Sequence, residues 1–325
     1  MARAFCEIPD LEGLLRDLLE QVPRGRVTTY GRLAEALGNR VAARWVGHFA
    51  LHHDHSANCP CHRVVRVDGR LGLYINGDEQ TKARRLADDG IPTQRSTVDL
   101  SEYLFDNFVS DRPLQRLSTI QETLRSKVSI RPRRRIPKLI GGVDVSYSRS
   151  DQGTAAFALV DVESGRLVWS TTVRRRIAFP YITSYLTFRE LPILLDLIHE
   201  VRAAGRLPEV VLVDGSGILH PRHAGIACHL GVAASLPTIG VTKKLLCGQV
   251  EIEDMQPSES RPVVHEDRLL GMALRPTSGS RRPIFLSPGH RVDVMFSERL
   301  VRSLLLGRRL PEPIYWADRL SRQKG

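Results

Sequence analysis

The stretch LIGGVDV, residues 139–145, sets one carboxylate, Asp144, inside an apolar run that is typical of a buried strand. Two runs of strand-like composition follow, at residues 154–160 and 166–173, on either side of Glu163-Ser164-Gly165. Turn residues between two such runs predict an antiparallel hairpin. We therefore expect three adjacent strands, the first of which carries Asp144.

A helix and a further strand follow the hairpin. Apolar residues recur at helical spacing over residues 188–201, and Pro192 is suited to a first turn, so we expect Glu190 near the helix start. The continuous apolar run at residues 209–213 predicts a central buried strand that ends at Asp214. The order strand, hairpin, helix, strand is that of a ribonuclease-H-like fold.

Three carboxylates stand out in this order of elements: Asp144, Glu190 and Asp214. Carboxylate oxygens are hard ligands that suit Mg²⁺, with Mn²⁺ as a substitute, and such an ion stabilises charge on a phosphodiester oxygen and activates water. We predict a metal-dependent nuclease with these three residues as ligands. Ordinary capping of strand ends by acidic residues is the alternative.

The remainder of the chain alternates between predicted helices and strands. Helices are expected at residues 224–236 and 292–306, and strands at residues 238–241, 269–274 and 284–286. The predicted fold class is therefore α/β, with a mixed sheet flanked by helices.

The charge of the chain favours a polyanionic partner. Its 325 residues include 47 Lys and Arg against 36 Asp and Glu, which gives a formal net charge of +11. Basic residues that neutralise phosphates release counterions, so nucleic acid is the expected partner; surface charge for solubility is the alternative. The length and the 42% hydrophobic content suit two domain cores.

The cysteines and the hydropathy pattern bear on the compartment. The five cysteines are scattered without paired spacing, which indicates a reducing environment rather than a disulfide framework. No apolar run approaches transmembrane length, and the first residues lack the apolar core of a signal peptide. We expect a cytoplasmic protein without membrane association.

The first hundred residues predict a small helical domain. Only Gly38-Asn39-Arg40 separates its second and third helices, which is the spacing of a helix-turn-helix, with Arg44 and His48 one turn apart on the later helix. Simple packing of the two helices is the alternative. The four predicted helices lie at residues 11–22, 33–37, 41–51 and 81–87.

A polar stretch without clear periodicity, residues 91–111, precedes a helix-like pattern at residues 114–124. Polar segments of this kind commonly join domains. We place the linker near residues 92–105 and the two domains at residues 1–100 and 101–325.

The sequence PCHRV, residues 60–64, is a candidate nucleophile site. Pro60 restricts the backbone, and the adjacent His62 and Arg63 favour the thiolate form of Cys61, which is the nucleophilic form. Neighbouring side chains of an extended segment point in opposite directions, so we expect His62 to act on Cys61 through a water. A buried and inert thiol is the alternative.

The second domain resembles the endonuclease V family along almost its whole length. The matching motifs are GVDVSY (142–147), FPYI (179–182), FRELP (188–192), DGSG (214–217), HPR (220–222), IGVTKK (239–244) and SPGHR (287–291). Members of this family cleave DNA, and in some cases RNA, that contains deaminated adenine, at the second phosphodiester 3′ to the inosine, with Mg²⁺.

This resemblance implies a role for several residues. Asp144 and Asp214 are expected to bind metal with Glu190 nearby, and Lys243 is expected to stabilise the phosphate. The other residues to which the resemblance assigns roles are His220 and His290, which complete the site, the wedge Pro180, Tyr181 and Ile182, which separates the strands, and Gly215 and Gly217, which contact the substrate.

Residues 22–90 resemble the C-terminal, DNA-binding domain of O6-alkylguanine-DNA alkyltransferases. The resemblance implies that Cys61 accepts an alkyl group from guanine O6 in one irreversible turnover without a cofactor. It also implies that Arg44 replaces the flipped base in the duplex, and that Tyr30 assists extrusion and donates a hydrogen bond to the leaving guanine. The matching residues are VTTYG (27–31), AAR (42–44), Gly47, PCHRVV (60–65), Gly69, Tyr74, Lys82 and Gly90.

Two positions depart from the alkyltransferase pattern. The acid expected to orient the histidine beside the nucleophile is Asp89, one methylene shorter than the family's glutamate, and His53-Asp54 replaces the family's Asn-Pro pair. That pair belongs to LHHDH, residues 51–55, which together with Cys59 and Cys61 could ligate zinc. The spacing fits no standard finger, and Cys61 has another expected role.

The two resemblances together predict a bifunctional DNA-repair enzyme that acts on alkylated guanine and deoxyinosine in double-stranded DNA. One alternative is an endonuclease V whose N-terminal domain only senses lesions, as in alkyltransferase-like proteins, which lack the cysteine; Cys61 favours transfer. Another is a nuclease specific for inosine in RNA. Single-stranded DNA is a further alternative substrate, and we expect a monomer.

Overall fold

The computed structural model describes residues 8–55, 59–148, 152–276, 280 and 282–323. These residues form two compact units. The N-terminal unit comprises residues 8–119 with residues 179–183, and the C-terminal unit comprises residues 120–178 with residues 184–323.

The N-terminal unit is mainly helical. Asp10 caps its first helix by accepting a hydrogen bond from the Gly13 N–H at 3.0 Å, and Asp78 caps the fourth in the same way through Thr81. The helices are α1 (Leu11–Glu20), α2 (Tyr30–Ala36), α3 (Ala43–His52), α4 (Glu79–Asp88), α5 (Leu100–Tyr103) and α6 (Pro113–Arg125). Three 3-10 helices (Arg40–Ala42, Pro60–Arg63, Ile75–Gly77) and a parallel pair of strands, β1 (Thr28–Thr29) and β2 (Val64–Val65), complete the unit.

The four helices predicted for the first hundred residues are all present, and α2 leads to α3 across Gly38. Gly38 has φ +103°, and a Cβ there would lie 2.6 Å from the Gln115 nitrogen. Only glycine therefore permits both the turn and the close approach of the later chain.

The units meet in sequence inside α6, about 20 residues after the predicted boundary at 100/101. Residues 100–119 stay with the N-terminal unit because their backbone pairs with it. The Phe105 N–H donates to the Val27 carbonyl at 2.7 Å, and the Leu114 N–H donates to the Leu37 carbonyl at 2.8 Å. Backbone N–H and C=O groups pair whatever side chains the residues carry. The polar composition of this segment therefore does not show that its backbone pairs with the N-terminal unit.

The C-terminal unit is built on a mixed sheet of eight strands in the order β5-β4-β3-β6-β7-β10-β9-β8. The strands are β3 (Leu139–Tyr147), β4 (Gln152–Asp161), β5 (Leu167–Arg176), β6 (Val211–Asp214), β7 (Thr238–Thr242), β8 (Ser260–His265), β9 (Arg268–Leu274) and β10 (Ile284–His290). The helices are α7 (Leu186–Ala203), α8 (Ile226–Ala234), α9 (Val294–Ser303) and α10 (Glu312–Ser321). The predicted α/β class with a mixed sheet is confirmed.

The parallel centre of the sheet sets the position of the first two carboxylates. Val143 on β3 lies opposite Val213 on β6, and β6 pairs in parallel with β7. The next residues, Asp144 and Asp214, therefore lie side by side near the carboxyl ends of adjacent strands. Sites in open α/β sheets form at this edge.

The prediction that Pro192 lies in a first turn is wrong. Helix α7 begins at Leu186, so the proline is its seventh residue and Glu190 its fifth. Thr187 and Phe188 are buried at the start of the helix. Packing of these side chains stabilises helical turns before the proline, so the helix starts earlier than the preference of proline for a first turn predicts.

In the described part of the C-terminal unit, two elements have no counterpart among the predicted patterns: β8 and α10. Helix α10 buries Ile314 and Ala317 completely. Among the residues that the structure describes, no helix combines the length and the apolar character needed to cross a membrane.

Candidate active sites

Three carboxylates meet at the carboxyl edge of the central strands. One oxygen each from Asp144, Asp214 and Asp318 can be chosen so that all three lie within 4.8 Å of one another. Asp144 and Asp214 were predicted from the strands, whereas Asp318 comes from α10. Carboxylate oxygens are the ligands that Mg²⁺ and Mn²⁺ prefer, so this donor set fits such an ion.

Helix α10 positions both Asp318 and a second contact to the site. The Ser321 hydroxyl, one turn further along, donates to Asp144 Oδ2 at 2.8 Å, and the Ser146 hydroxyl donates to the Ser321 carbonyl. Sequence reasoning missed Asp318 because no helix was predicted there. The signal that was available is the Pro311-Glu312-Pro313 start before an amphipathic run.

The electrostatics of the site favour a bound cation. Burial, and then the neighbouring charge of Asp214, raise the pKa of Asp144 to about 7. Lys243 Nζ lies 2.9 Å from Asp214 Oδ2 and 3.9 Å from Asp318 Oδ1. Although burial opposes it, this surplus of negative charge raises the pKa of Lys243 above its ordinary value. One lysine thus faces three acids, which leaves negative charge for a metal to balance.

Glu190 lies behind this group rather than within it. Its Oε1 accepts a hydrogen bond from the Tyr147 hydroxyl at 2.5 Å, and the Arg189 guanidinium lies 4.2 Å from the centre of the Tyr147 ring. Burial raises the pKa of Glu190 to about 8, opposed by Tyr147 and assisted by the charges of Asp144 and Asp214. The structure thus places Glu190 within electrostatic range of the carboxylates, and its role as a ligand stays a prediction.

The structure does not bring His290 to the carboxylates. His290 pairs with Thr238 at the start of β7, whereas Lys243 follows Thr242 at its end. These ends are four residues apart, or roughly 13 Å at about 3.3 Å per residue. The position arises because β10 runs antiparallel to β7. Burial and nearby arginines lower the pKa of His290 to about 4, and its Nδ1 accepts a hydrogen bond from the Ser129 N–H.

His220 is held by backbone groups on both sides of its ring. Its Nε2 donates to the Ser184 carbonyl at 3.0 Å, and its Nδ1 accepts from the Arg222 N–H at 3.2 Å. Burial, with the charge of Arg222, lowers its pKa to about 4, so the ring is neutral at pH 7. His220 therefore links the start of α7 to the loop after β6. Its predicted part in the chemistry stays a prediction.

Gly215 and Gly217 allow close packing beside Asp214. A Cβ at Gly215 would lie 2.2 Å from Ile226 Cγ2, and one at Gly217 would lie 2.0 Å from the Pro288 carbonyl oxygen. These distances leave no space for a side chain. The glycines therefore serve the packing of the loop that carries the aspartate, and substrate contact by them stays a prediction.

The predicted wedge lies in the loop between β5 and α7. Tyr181 is 65% exposed, whereas Ile182 is buried. An exposed aromatic ring on a loop suits insertion between bases.

The N-terminal unit contains the second site. Cys61 lies in the 3-10 helix Pro60–Arg63 and is 2% exposed. Its Sγ lies 3.1 Å from Nδ1 of His55 and 4.0 Å from the Tyr74 hydroxyl. A hydrogen bond with Cys59, and then burial, raise the pKa of Cys61 above that of a free thiol. The expected thiolate form of Cys61 stays a prediction.

The side chains of His62 and Arg63 both contact Asp89, and the action of His62 on Cys61 through a water stays a prediction. His62 Nε2 lies 2.9 Å from Asp89 Oδ2, and Arg63 Nε lies 2.6 Å from the same oxygen. Asp89 therefore reaches His62 despite its shorter side chain. Against the effect of burial, these hydrogen bonds lower the pKa of Asp89 to about 2.

The predicted DNA-contact residues of the N-terminal unit lie on α2 and α3. Arg44 and His48 are exposed on α3, one turn apart. Tyr30 begins α2, and burial, opposed by the charge of Arg66, raises the pKa of its hydroxyl. Lys82 donates to the Val64 and Leu71 carbonyls at 2.5 Å each, and burial lowers its pKa to about 8.

Fold and sites together define a ribonuclease-H-like nuclease domain with a carboxylate centre, preceded by a helical domain with a cysteine centre. Residues 122–319 match the Endonuclease V family, and residues 14–91 match the 6-O-methylguanine DNA methyltransferase, DNA binding domain. A bifunctional methyltransferase/endonuclease from Picrophilus torridus is 34% identical over 295 residues, which cover 91% of this chain and 90% of that protein.

Solved structures agree for the second domain. The catalytic domain of human Endonuclease V has 33% identity and a TM-score of 0.61, covering 66% of this chain and 96% of that one. Endonuclease V of Ciona intestinalis, in complex with a DNA that contains an inosine followed by a ribo-adenosine, has 28% identity and a TM-score of 0.59, covering 65% of this chain and 97% of that one. The chain belongs to the endonuclease V family, in the bifunctional form that carries an alkyltransferase DNA-binding domain.

Proposed function

We propose that this chain is a bifunctional DNA-repair enzyme that cleaves DNA near deoxyinosine in its C-terminal unit and removes alkyl groups from guanine O6 in its N-terminal unit. The cluster of Asp144, Asp214 and Asp318 carries the nuclease assignment. The Ciona intestinalis relative binds a DNA that contains an inosine followed by a ribo-adenosine, which supports an inosine-containing nucleic acid as the substrate. The proposed cleavage position is the second phosphodiester 3′ to the deoxyinosine.

The residues of the carboxylate centre have different proposed roles in hydrolysis. Asp144, Asp214 and Asp318 hold the ion, and Lys243 places a fixed positive charge beside the scissile phosphate. Bound Mg²⁺, or Mn²⁺ in its place, would polarise the phosphodiester and make a water more acidic. Glu190, with a pKa of about 8, can exchange a proton near neutral pH. Tyr181 fills the space left by an extruded base.

The nuclease proposal is tested by nicking of a duplex oligonucleotide that contains one deoxyinosine. Asp144→Ala and Asp214→Ala should abolish Mg²⁺-dependent nicking, whereas Asp196→Ala, at an exposed ion pair with Arg175, should leave it unchanged. Nicking that persists in both site variants contradicts the metal assignment. The same sequence made as RNA decides between the DNA and RNA substrates.

The N-terminal proposal concerns transfer to Cys61. The Cys61 sulfur forms a bond to the alkyl carbon, the bond from that carbon to guanine O6 breaks, and the thiol proton ends on the guanine. Arg44, exposed on α3, occupies the space of the flipped base, and Tyr30 donates a hydrogen bond to the leaving guanine. Asp89 orients His62 for proton transfer through a water. The match of residues 14–91 to the methyltransferase DNA-binding domain supports this assignment.

Mass measurement of the intact protein after incubation with O6-methylguanine DNA, followed by peptide mapping, tests the transfer. We expect one methyl group per chain, located on Cys61 and absent in Cys61→Ala. Nicking at deoxyinosine should be retained in that variant. An unmodified chain that still binds the lesion would instead support a lesion-sensing N-terminal domain.

We place the protein in a reducing compartment, the cytoplasm, as a monomer. The four cysteines within the described residues are free thiols, which supports such a compartment. The elution volume of the purified chain in gel filtration tests the oligomeric state.

A further inference from the structure

Four side chains converge after helix α3: His53, His55, Cys59 and Cys61. Nε2 of His53 lies 3.0 Å from Cys59 Sγ, and Nδ1 of His55 lies 3.1 Å from Cys61 Sγ. One potential ligand atom from each residue can be chosen so that all four lie within 4.8 Å of one another. Tetrahedral zinc with bonds of about 2.0–2.3 Å separates its ligand atoms by roughly 3.5 Å. The cluster therefore needs only small side-chain adjustments to surround an ion.

The ring of His53 is already oriented as that of a metal ligand. Its Nδ1 lies 2.8 Å from the Phe49 carbonyl, and the ring stacks on Phe49 with 4.7 Å between ring centres. Because a carbonyl only accepts hydrogen bonds, Nδ1 carries the proton, and the lone pair of Nε2 faces the cluster. Ligating histidines almost always donate their other N–H to a carbonyl or carboxylate in this way.

His55 presents the opposite nitrogen to the same cluster. Its Nδ1 faces Cys61, and its ring lies 3.9 Å from the ring of His53. Its buried Nε2 has no hydrogen-bond partner within the described part of the chain. Nδ1 is therefore the nitrogen through which His55 could bind an ion held by this cluster.

The donor set selects the kind of ion. Two thiolates and two imidazoles suit zinc, whereas Mg²⁺ prefers oxygen ligands such as the three aspartates of the C-terminal unit. The thiolates of Cys59 and Cys61 also neutralise the charge of a divalent ion, so the filled site buries no net charge.

We propose that His53, His55, Cys59 and Cys61 bind one zinc ion in a tetrahedral site, so that the proposed alkyl acceptor is also a metal ligand. Binding converts two thiols to thiolates and releases two protons to the buffer. The site goes beyond the proposed function, since it needs neither DNA nor alkyl transfer. It also gives a use to His53, which stands where the alkyltransferase pattern has asparagine.

Titration of the full-length, reduced chain with Co²⁺ tests the site, with excess Mg²⁺ present to occupy the carboxylates. We expect one equivalent of Co²⁺ to produce the near-ultraviolet charge-transfer band of cobalt–thiolate bonds, with uptake accompanied by release of two protons. Zn²⁺ should then displace the cobalt and abolish the band.

Matched variants locate the ligands. Cys59→Ser, Cys61→Ser and His53→Ala should each weaken zinc binding by at least about 100-fold, beyond the roughly 10- to 100-fold typical of an outer-shell partner. His52→Ala, next to the cluster but stacked on His48, and Cys247→Ser, in the C-terminal unit, should bind as the parent does. Fluorescence of Trp45 on α3 shows whether each variant is folded.

Absence of the thiolate band in the folded parent chain overturns the proposal, and so does a band in Cys59→Ser that is as intense as that of the parent at the same Co²⁺ concentration. Equal losses in His52→Ala and His53→Ala would overturn it as well, because they would point to the fold rather than to ligation. A chain that binds zinc but accepts no methyl group would contradict the proposed transferase and leave the metal site standing.

Discussion

Asp89 in the N-terminal unit and Asp144 in the C-terminal unit are carboxylates whose surroundings move their pKa values in opposite directions. Asp89 is contacted by His62, Arg63 and Arg24, and its pKa falls to about 2. Asp144 is buried, the charge of Asp214 acts on it more strongly than any other charge, and its pKa rises to about 7.

The opposite pKa shifts indicate different roles: Asp89 is suited to orienting protein groups, and Asp144 is suited to binding a cation. Cations within the chain already balance Asp89, so it can hold His62 but has little affinity left for an ion. The acids around Asp144 repel one another with one lysine between them, and a divalent cation relieves that repulsion. The same residue type is therefore suited to positioning in one unit and to metal binding in the other.

Removal of Asp318, which the sequence patterns did not reveal, should have the largest effect on cleavage. Asp318→Asn should reduce nicking at deoxyinosine by on the order of 100- to 1,000-fold, since metal ions supply several kcal/mol of transition-state stabilisation. The loss should be partly restored by raising the Mg²⁺ concentration, as measured by initial nicking rates. A wild-type rate for Asp318→Asn would mean that two aspartates suffice for the ion.

Asp89 should matter to transfer and not to cleavage. Asp89→Asn should slow methyl transfer by about 10- to 100-fold, a part of the roughly 10²- to 10⁴-fold that positioned proton transfer contributes. Asp89→Glu should restore the rate and its pH profile, because it keeps the charge. Asp88→Asn, at the exposed neighbouring position, is the control. A slow Asp89→Glu variant would show that the side chain supports the fold rather than the orientation of His62.

Acid should destabilise the C-terminal unit through histidines that are buried in the neutral form. Burial lowers the pKa of His229 to about 3, and its two ring nitrogens have no hydrogen-bond partner within the described residues. The unfolded chain binds this proton near pH 6.5, so stability is full above that pH and falls by about 1.4 kcal/mol per unit as the pH drops toward 3.

His229→Leu should therefore raise the free energy of unfolding by about 1 kcal/mol at pH 7, and by more at pH 5. Urea unfolding of a Trp45→Phe background measures this, because Trp169 and Trp316 then report only on the C-terminal unit. An equal difference between variant and parent at both pH values would show that the proton is not taken up at His229.

The smallest expected effect is at Tyr147. Tyr147→Phe removes the hydroxyl that donates to Glu190 and keeps the ring beneath Arg189. Loss of a donor disfavours the carboxylate, so the pKa of Glu190 should rise further and the acid limb of the nicking profile should move to higher pH by about one unit or less. A profile that moves to lower pH would contradict this account of Glu190.

Particular elements show how far sequence reasoning reaches. The strands around Asp144 and Asp214 were predicted because a buried strand needs a continuous apolar run, which is visible in the sequence itself. Helix α10 was not predicted, and Asp318 was missed with it. His290 was assigned to the nuclease site through its motif, but the antiparallel direction of β10 carries it to the far end of β7.

The α/β class, the order of the central elements, the two family resemblances and the candidate residues Cys61, Asp144 and Asp214 could all be predicted from the sequence. These follow from local periodicity and from short motifs, which depend on neighbours along the chain. The tertiary structure was needed to show that Asp318 joins the carboxylates, that Asp89 reaches His62, and that His53, His55 and Cys59 converge on Cys61. Such distances depend on strand direction and helix docking, which bring together residues that are far apart in sequence, and no local pattern records them.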